Sequence, residues 1–233
     1  MKLLIDGDTL AYRAAFSQEG QTVTGICEKL DELIYNIVEA TNPYATKEDI
    51  MVFLTGKGNF RHDLTETYKA NRSGKEKPIL LGLARQYLID TYNASVSEGQ
   101  EADDDIAIMA TKLYPDCVIV SVDKDFKQVK GTLYNPQKGS WTKITEEAGL
   151  FNFYEQILSG DVADNIIGVY KIGPKTAQKM LAPCANEEEM FKVCVEAYKG
   201  DVEQVILNAR LLWLRREENQ IWMPPVSMDT GQV

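Results

Sequence analysis

Cys117-Val118-Ile119-Val120-Ser121-Val122-Asp123-Lys124-Asp125 is the stretch on which the fold turns. Its first six residues are apolar and β-branched almost without interruption, as in a strand buried on both faces, and the run stops at a pair of aspartates. Leu3-Leu4-Ile5 repeats that design and stops at Asp6-Gly7-Asp8. Ile50 to Leu54 is a further run, followed by Thr55-Gly56-Lys57-Gly58, and Ala94-Ser95-Val96 is a short one. Helical periods lie between them. Val23, Ile26, Leu30, Leu33, Ile34, Ile37 and Val38 mark one over 22–41, ended by Thr41-Asn42-Pro43. Pro78 opens another that reaches about Tyr92, and a third covers 102–113. Strands alternating with helices predict an α/β fold with a mostly parallel central sheet flanked by helices. Ligands of such sheets bind beyond the carboxyl ends of the strands, so Asp6 and Asp123 are expected on one edge.

The third helix begins with Glu101-Ala102-Asp103-Asp104-Asp105. Acidic residues suit a first helical turn, but four in five residues repel one another unless positive charge sits among them. By itself this would be a solvated helix start. Asp6-Gly7-Asp8, Asp123-Lys124-Asp125 and Asp161-Val162-Ala163-Asp164 make it one of four clusters that can converge on divalent metal. Asp6, Asp103, Asp104, Asp123 and Asp125 offer the oxygen ligands that magnesium takes. The clusters hold more carboxylates than one magnesium needs. Two metals about 4 Å apart can activate water and stabilise the leaving oxygen of a phosphodiester. Helical spacing places Glu101 and Asp104 on one face, with Asp103 about 100° per residue away and Asp105 a solvated extra.

Composition narrows the classes. The chain has 233 residues, enough for one α/β domain and a helical appendage. It contains no run of about 18 apolar residues, and its N-terminal apolar run is too short for a signal peptide. Four cysteines lack Cys-x-x-Cys spacing and His62 is the only histidine, which argues against zinc and against a Ser-His or Cys-His nucleophile. Scattered free thiols suit a reducing cytoplasm. The net charge of −10 ordinarily speaks against nucleic acid. Yet the four clusters hold much of the acid, and bound metal would offset it. Residues 57–77 are net positive: Lys57, Arg61, Lys69, Arg72, Lys75 and Lys77 against Asp63, Glu66 and Glu76.

After Leu150 the pattern turns helical, with helices around Phe153, Ile157 and Leu158, over 176–181, over 187–198 and over 202–215. From Asn219 a loosely packed tail is expected. Between Gly168 and Ala177 two glycines let backbone N–H groups approach a phosphate. Pro174 suits a first helical position, and Lys175 and Lys179 follow on the helix, a grip on DNA backbone without sequence readout. The expected organisation is a core over 1–160 carrying a basic segment at 56–78, a helical segment over 161–215 and a tail over 216–233.

In order and spacing, Ile5-Asp6-Gly7, Asn59-Phe60-Arg61, Tyr68-Lys69-Ala70-Asn71-Arg72, Glu101-Ala102-Asp103-Asp104, Ser121-Val122-Asp123-Lys124-Asp125-Phe126, Gly160-Asp161-Val162-Ala163-Asp164-Asn165 and Gly168 to Ala177 resemble the 5′→3′ exonuclease and flap endonuclease family, above all its short phage and bacterial members. The resemblance implies a PIN-like or resolvase-like nuclease core with a C-terminal helix–three-turn–helix. It implies a two-metal hydrolase using magnesium, with manganese as a possible substitute. Asp6, Glu101, Asp103, Asp104 and Asp123 would hold one metal, and Asp125, Asp161 and Asp164 would surround the second. Lys69 and Arg72 match the residues that contact the scissile phosphate, Tyr68 stands where bases stack, and Arg61, Gly168, Lys171, Gly173 and Lys175 complete the implied DNA contacts. Ile167, Val169 and Ile172 would bind potassium through backbone carbonyls. The implied partner is DNA with a 5′ end, flap or nick, bound by a monomer in the cytoplasm of a bacterial cell or a phage-infected host.

The chain departs from the family pattern at Thr55-Gly56, where an aspartate is usual, and in the short segment between Arg72 and Pro78, which predicts an open ridge over the cleft rather than a closed arch. Three other readings use some of the same residues. Asp6-Gly7-Asp8-Thr9 also resembles the nucleophile loop of haloacid-dehalogenase-type phosphatases, with Thr55 and Gly160 to Asp164 as later motifs and Asp6 as nucleophile. That reading needs a strand before Gly160, where the periodicity is helical. A catalytically silent DNA-binding module would leave the acidic set without a purpose. A metal-dependent ribonuclease with a similar core has no use for the helical segment.

Overall fold

The computed structural model describes residues 1–17, 21–74 and 76–225; Lys75 and the end of the expected tail lie outside them. The buried runs build the sheet. β1 (Leu3–Asp6) lies at its centre, parallel to β2 (Ile50–Thr55) on one side and to β4 (Val118–Val120) on the other, with Leu3 opposite both Ile50 and Val118. β3 (Ser95–Ser97) adds in parallel outside β2, and β5 (Gly131–Asn135) outside β4. β6 (Ser140–Ile144) closes that edge antiparallel, giving the order β3-β2-β1-β4-β5-β6. The chain builds outward from β1 to β3 and then crosses back to β4. The strand order therefore reverses between β1 and β4, and a crevice opens at their carboxyl ends. Asp6 and Asp123 emerge there.

The β5–β6 hairpin was not expected. Its outer strand exposes Ser140 to Lys143, so it shows no apolar run. The turn between the strands carried the readable signal: Asn135 Oδ1 accepts from the backbone N–H groups of Gln137 and Lys138, and Gly139 takes φ +61°.

Helices cover both faces. α1 (Gly7–Ala15) starts directly at the end of β1, with Asp6 as its N-cap accepting from Thr9 N at 3.0 Å. Gly7 is required there, because a Cβ would stand 2.7 Å from Phe53 O. α1, α2 (Val23–Thr41) and α4 (Leu81–Tyr92) pack over one face around Leu10, Ile26, Leu30, Leu54 and Leu88, and the short α3 (Phe60–Leu64) precedes α4 in the chain. α5 (Ala102–Ile108) covers the other face with Leu4, Phe53, Ile106, Ile119 and Phe126. The helix expected over 102–113 loosens into a π turn at Met109–Leu113.

A second core joins α6 (Glu146–Ser159), α7 (Pro174–Leu181), α8 (Glu187–Ala197) and α9 (Val202–Leu212) around Phe153, Tyr154, Ile157, Leu158 and Phe191. A short hairpin, β7 (Gly160–Asp161) with β8 (Ile166–Ile167), links α6 to α7. α9 stops at Leu212, short of the expected 215, because residues 213–216 turn back to bond Arg61, Asp104 and Gln128 of the α/β half. Nor is the described part of the tail loose: Trp222 is buried between Phe153 and Phe191, with ring centroids 5.8 and 6.0 Å away. Among the described residues no helix is long and apolar enough to cross a membrane.

Candidate active site

The crevice at the carboxyl ends of β1 and β4 widens into a cleft of about 650 Å³. Asp6, Glu101, Asp103, Asp123, Asp125 and Asp164 line it, with Lys69, Arg72, Lys77 and Arg85. Asp6 is fixed by Thr9 and by Ser121, whose hydroxyl donates at 2.8 Å. Asp123 caps the 3₁₀ turn Lys124–Gln128 by accepting from Asp125 N at 2.9 Å, and Gln156 of α6 donates to Asp125. Asp103 projects from the first turn of α5 and accepts no hydrogen bond from any described residue. Burial, then Asp6, Asp123 and Glu101, push its carboxyl well above the usual range. Burial also raises Asp6, and burial with Asp164 and Asp161 raises Asp123. Asp125 is pushed up to about 7 by burial and by Asp123 and Asp161.

Basic side chains offset part of this charge. Lys69 takes a left-handed backbone (φ 55°), which costs a non-glycine residue energy and is paid back by contacts. Its N–H donates to Asp164 O at 2.9 Å, while its Nζ bonds Glu101 and lies 3.4 Å from Asp164. Arg72 bonds Asp164 at 2.5 Å, and Lys124 pairs with the buried Asp161 at 3.0 Å. Asn71 and Asn165 add cross-links, donating to Val162 O and Thr67 O. The basic segment is thereby stitched to the 161–165 turn as a ridge along the cleft.

Four expectations need correction. Asp104 and Arg61 bind each other; Asp104 does not line the cleft, and Arg61 reaches its wall with Nη1 4.0 Å from Glu101. Arg61 Nη1 and Nη2 donate to the two oxygens of Asp104 at 2.6 and 2.9 Å, and Arg61 also donates to Leu211 O and Trp213 O. Exposure is 1% for Arg61 and 0% for Asp104, leaving no carboxylate oxygen for a metal and no guanidinium face for DNA. Arg61, outweighing burial, holds the Asp104 carboxyl below its usual range, and Asp104 in turn holds the guanidinium above its own. Asp103 is the cleft residue instead. Glu101 is the N-cap, in extended backbone (φ −87°, ψ 159°), so the helical angle from Glu101 to Asp104 does not apply. Second, Tyr68 is no exposed stacking platform: it is 2% exposed, and its hydroxyl donates to Glu101 and Asp164 at 3.0 Å. Burial and Glu101 push that hydroxyl far up, keeping it a neutral donor. Third, Gly168 serves chain packing rather than a phosphate, since a Cβ would stand 2.3 Å from Ser159 C and 2.4 Å from Gly160 N. Asp105, expected in solvent, is bonded by Ser97 and Gln100.

Lys171 and Lys175 are exposed, Gly173 is the open N-cap of α7, and Pro174 takes its first position. The carbonyl of Ile167 accepts from the Asn208 side chain, and that of Val169 accepts from Ile172 N. Asp161 lines a separate hollow behind the cleft. Sequence reasoning passed over Arg85, which belongs to no motif; its partner at the end of β2 is Asp8, which the sequence had placed in the acidic Asp6-Gly7-Asp8 cluster.

The family model for the 5′-3′ exonuclease N-terminal resolvase-like domain matches residues 1–155. The chain belongs to the 5′-3′ exonuclease family. A 5′-3′ exonuclease of Buchnera aphidicola is 30% identical over 217 residues, covering 81% of this chain and 72% of that protein. The thermostable DNA polymerase I of Thermus thermophilus is 30% identical over 99% of this chain, which spans only 30% of the polymerase. Among solved structures, the bacteriophage T5 5′-exonuclease with bound zinc shares the fold at TM-score 0.71 and 19% identity, over 91% of this chain and 88% of that one. Membership agrees with the resolvase-like core. It also agrees with Gly160-Asp161 following helix α6, against the phosphatase reading.

Does the donor set fit a divalent cation? Among the described residues no three His, Cys, Asp or Glu side chains are grouped closely enough to hold a metal ion as they stand. The carboxylates instead line a cleft, and Asp103 has only like charges and Lys69 for company. An all-oxygen acidic set in that state fits a hard divalent ion. A raised carboxyl binds its proton more tightly in the fold than in the unfolded chain. Metal-free stability attributable to Asp103, Asp123 and Asp125 should therefore fall as pH climbs from the unfolded carboxylate range, near 4, through about 7. Melting curves in EDTA and in magnesium should diverge by several degrees at pH 7.5 and converge at pH 5. A magnesium shift of equal size at both pH values would contradict the assignment.

Proposed function

We propose that the chain is a magnesium-dependent, structure-specific 5′ nuclease that hydrolyses DNA phosphodiesters, as 5′→3′ exonuclease, flap endonuclease or both. The observation that carries this reading is Asp103, a half-buried carboxylate with no hydrogen-bond donor among the described residues, set among Asp6, Glu101 and Asp123 and faced by Lys69. Those four carboxylates would hold one metal, and Asp125, Asp161 and Asp164 would surround a second; manganese is the natural substitute. Such ions lower the pKa of bound water and offset charge on a phosphodiester. The chain's own groups bind and orient the strand. Lys69 and Arg72 present cations beside the acidic row, and the neutral Tyr68 hydroxyl ties Glu101 to Asp164. Lys171, Lys175 and the N-terminus of α7 would hold duplex backbone, with potassium at the carbonyls of Ile167, Val169 and Ile172.

The relatives' names support the same reading. The flap endonuclease Xni of Shewanella piezotolerans is 28% identical over 87% of this chain. The T5 flap endonuclease has been solved with DNA and metal ions. A 5′-labelled flap and a labelled blunt duplex, each with and without magnesium, test the proposal. Product length separates flap cutting from end-wise digestion, and absence of any magnesium-dependent product would leave the silent DNA-binding module.

Lys69→Ala gives a narrower test. Lys69 would act on charge that grows at the scissile phosphate, so single-turnover cleavage at saturating protein should slow about 10²–10³-fold. Affinity should change little. A loss confined to affinity would make Lys69 an ordinary backbone contact.

A further inference from the structure

Arg85 projects from the middle of α4 toward the carboxyl end of β2. Its Nη1 donates to Asp8, and its Nη2 donates to Thr55 O at 2.5 Å. Asp8 also accepts from Thr55 N at 2.8 Å, so both partners are oriented by the same strand end. The remaining N–H groups of Arg85 meet no acceptor among the described residues. Arg85 forms part of the wall of two hollows. One is the acidic cleft; the other, of about 740 Å³, is also lined by Thr55, Gly56, Lys57, Ser97 and Glu98. Lys77 lines the cleft and Lys57 the second hollow, and neither ammonium has an acceptor among the described residues. Asp8 and Glu98 share these walls with the three cations, and the cleft also carries the carboxylates from Asp6 to Asp164 named above.

The cleft thus carries two sets of cations. Lys69 and Arg72 are tied to the 161–165 turn; Arg85 and Lys77 line the cleft away from that turn, and Arg85 also borders the hollow that holds Lys57. Resting on the nuclease reading, we propose that Arg85 binds a second phosphate of the substrate strand, away from the reacting one, with Asp8 holding the guanidinium in place until the strand arrives. A guanidinium matches phosphate geometry through two parallel N–H groups. The Asp8–Arg85 pair is about a quarter exposed (25% and 27%), so water screens it and a phosphate can compete for the outer N–H groups. The bond to Thr55 O keeps the fork aimed during that exchange. The phosphate is either an internal diester or the 5′-terminal monoester, which carries close to two negative charges.

Fluorescence anisotropy in EDTA, where no cleavage occurs, tests this with duplexes bearing a short 5′ overhang that ends in phosphate or in hydroxyl. Arg85→Gln should weaken binding about 3–10-fold and reduce the salt slope by about one unit. Asp8→Asn, which frees the guanidinium, should tighten binding. A terminal phosphate is indicated if the Arg85→Gln loss is confined to the phosphorylated overhang, and an internal diester if both overhangs lose equally. The double variant Asp8→Asn/Arg85→Gln, a neutral pair, should remain weaker than wild type. Recovery of wild-type affinity in the double variant would overturn the proposal, since the single variant's loss would then come from an unpaired Asp8. Unchanged affinity and salt slope in Arg85→Gln would overturn it equally. A wild-type protein that binds neither duplex would instead remove the nuclease reading beneath it.

Discussion

Asp103→Asn is expected to lower magnesium-dependent cleavage by at least about 10²–10³-fold, the scale on which a single group aimed at reaction charge acts. The variant keeps the shape of the side chain and removes its charge. The same change should raise the melting temperature in EDTA, because Asp6, Glu101 and Asp123 repel that charge in the fold and nothing among the described residues donates to it. It should also shrink the stabilisation given by magnesium at pH 7.5. Opposite movements of activity and metal-free stability mark a residue kept for a ligand rather than for folding. Full turnover, or a lower melting temperature in EDTA, would take Asp103 out of the metal set.

Asp104→Ala, one residue along, should behave in the reverse manner. It leaves the buried Arg61 guanidinium without its carboxylate and the Arg215 N–H without its acceptor, which sits at 3.0 Å. Breaking a buried pair from one side costs about 3–5 kcal/mol. For a chain of this size that is a melting temperature lower by roughly 6–20 °C. Replacing both partners with apolar residues, as in Arg61→Met/Asp104→Leu, should cost much less, because no charge is left stranded. Thermal unfolding of the three variants decides it; a shift below about 2 °C in Asp104→Ala would mean that the pair is not holding the fold.

These two neighbours show where sequence reading reached and where it stopped. The apolar runs ending in Asp6 and Asp123 placed both carboxylates on one sheet edge, because burial on both faces leaves a signature that needs no knowledge of contacts. Period alone could not tell Asp103 from Asp104. Their separation depends on Glu101 lying just outside the helix, and on an arginine forty-three positions away in sequence that fills the inner side. Tyr68 was misplaced for a similar reason: an aromatic beside basic residues looks like a stacking surface until the fold brings two carboxylates to its hydroxyl. The β5–β6 hairpin escaped because its outer strand is polar, and Arg85 because its partner, Asp8, lies on a different helix. The left-handed backbone of Lys69 had no signature at all in the order of residues.

The Arg61–Asp104 pair also bears on where this protein could be cut. Leu211 and Trp213 supply carbonyls to Arg61, Leu212 O and Leu214 N bond the Gln128 side chain at 2.8 and 2.9 Å, and Arg215 reaches Gln100 at 2.7 Å. A fragment trimmed at residue 155, where the matched family segment ends, would lose every one of these and keep the guanidinium, the carboxylate and the amide they satisfy. The region that descent makes recognisable is therefore smaller than the region that must fold together. The turn back at residues 213–216 is part of the interior of the α/β half, and a shortened version ending before it should be recovered only as insoluble material.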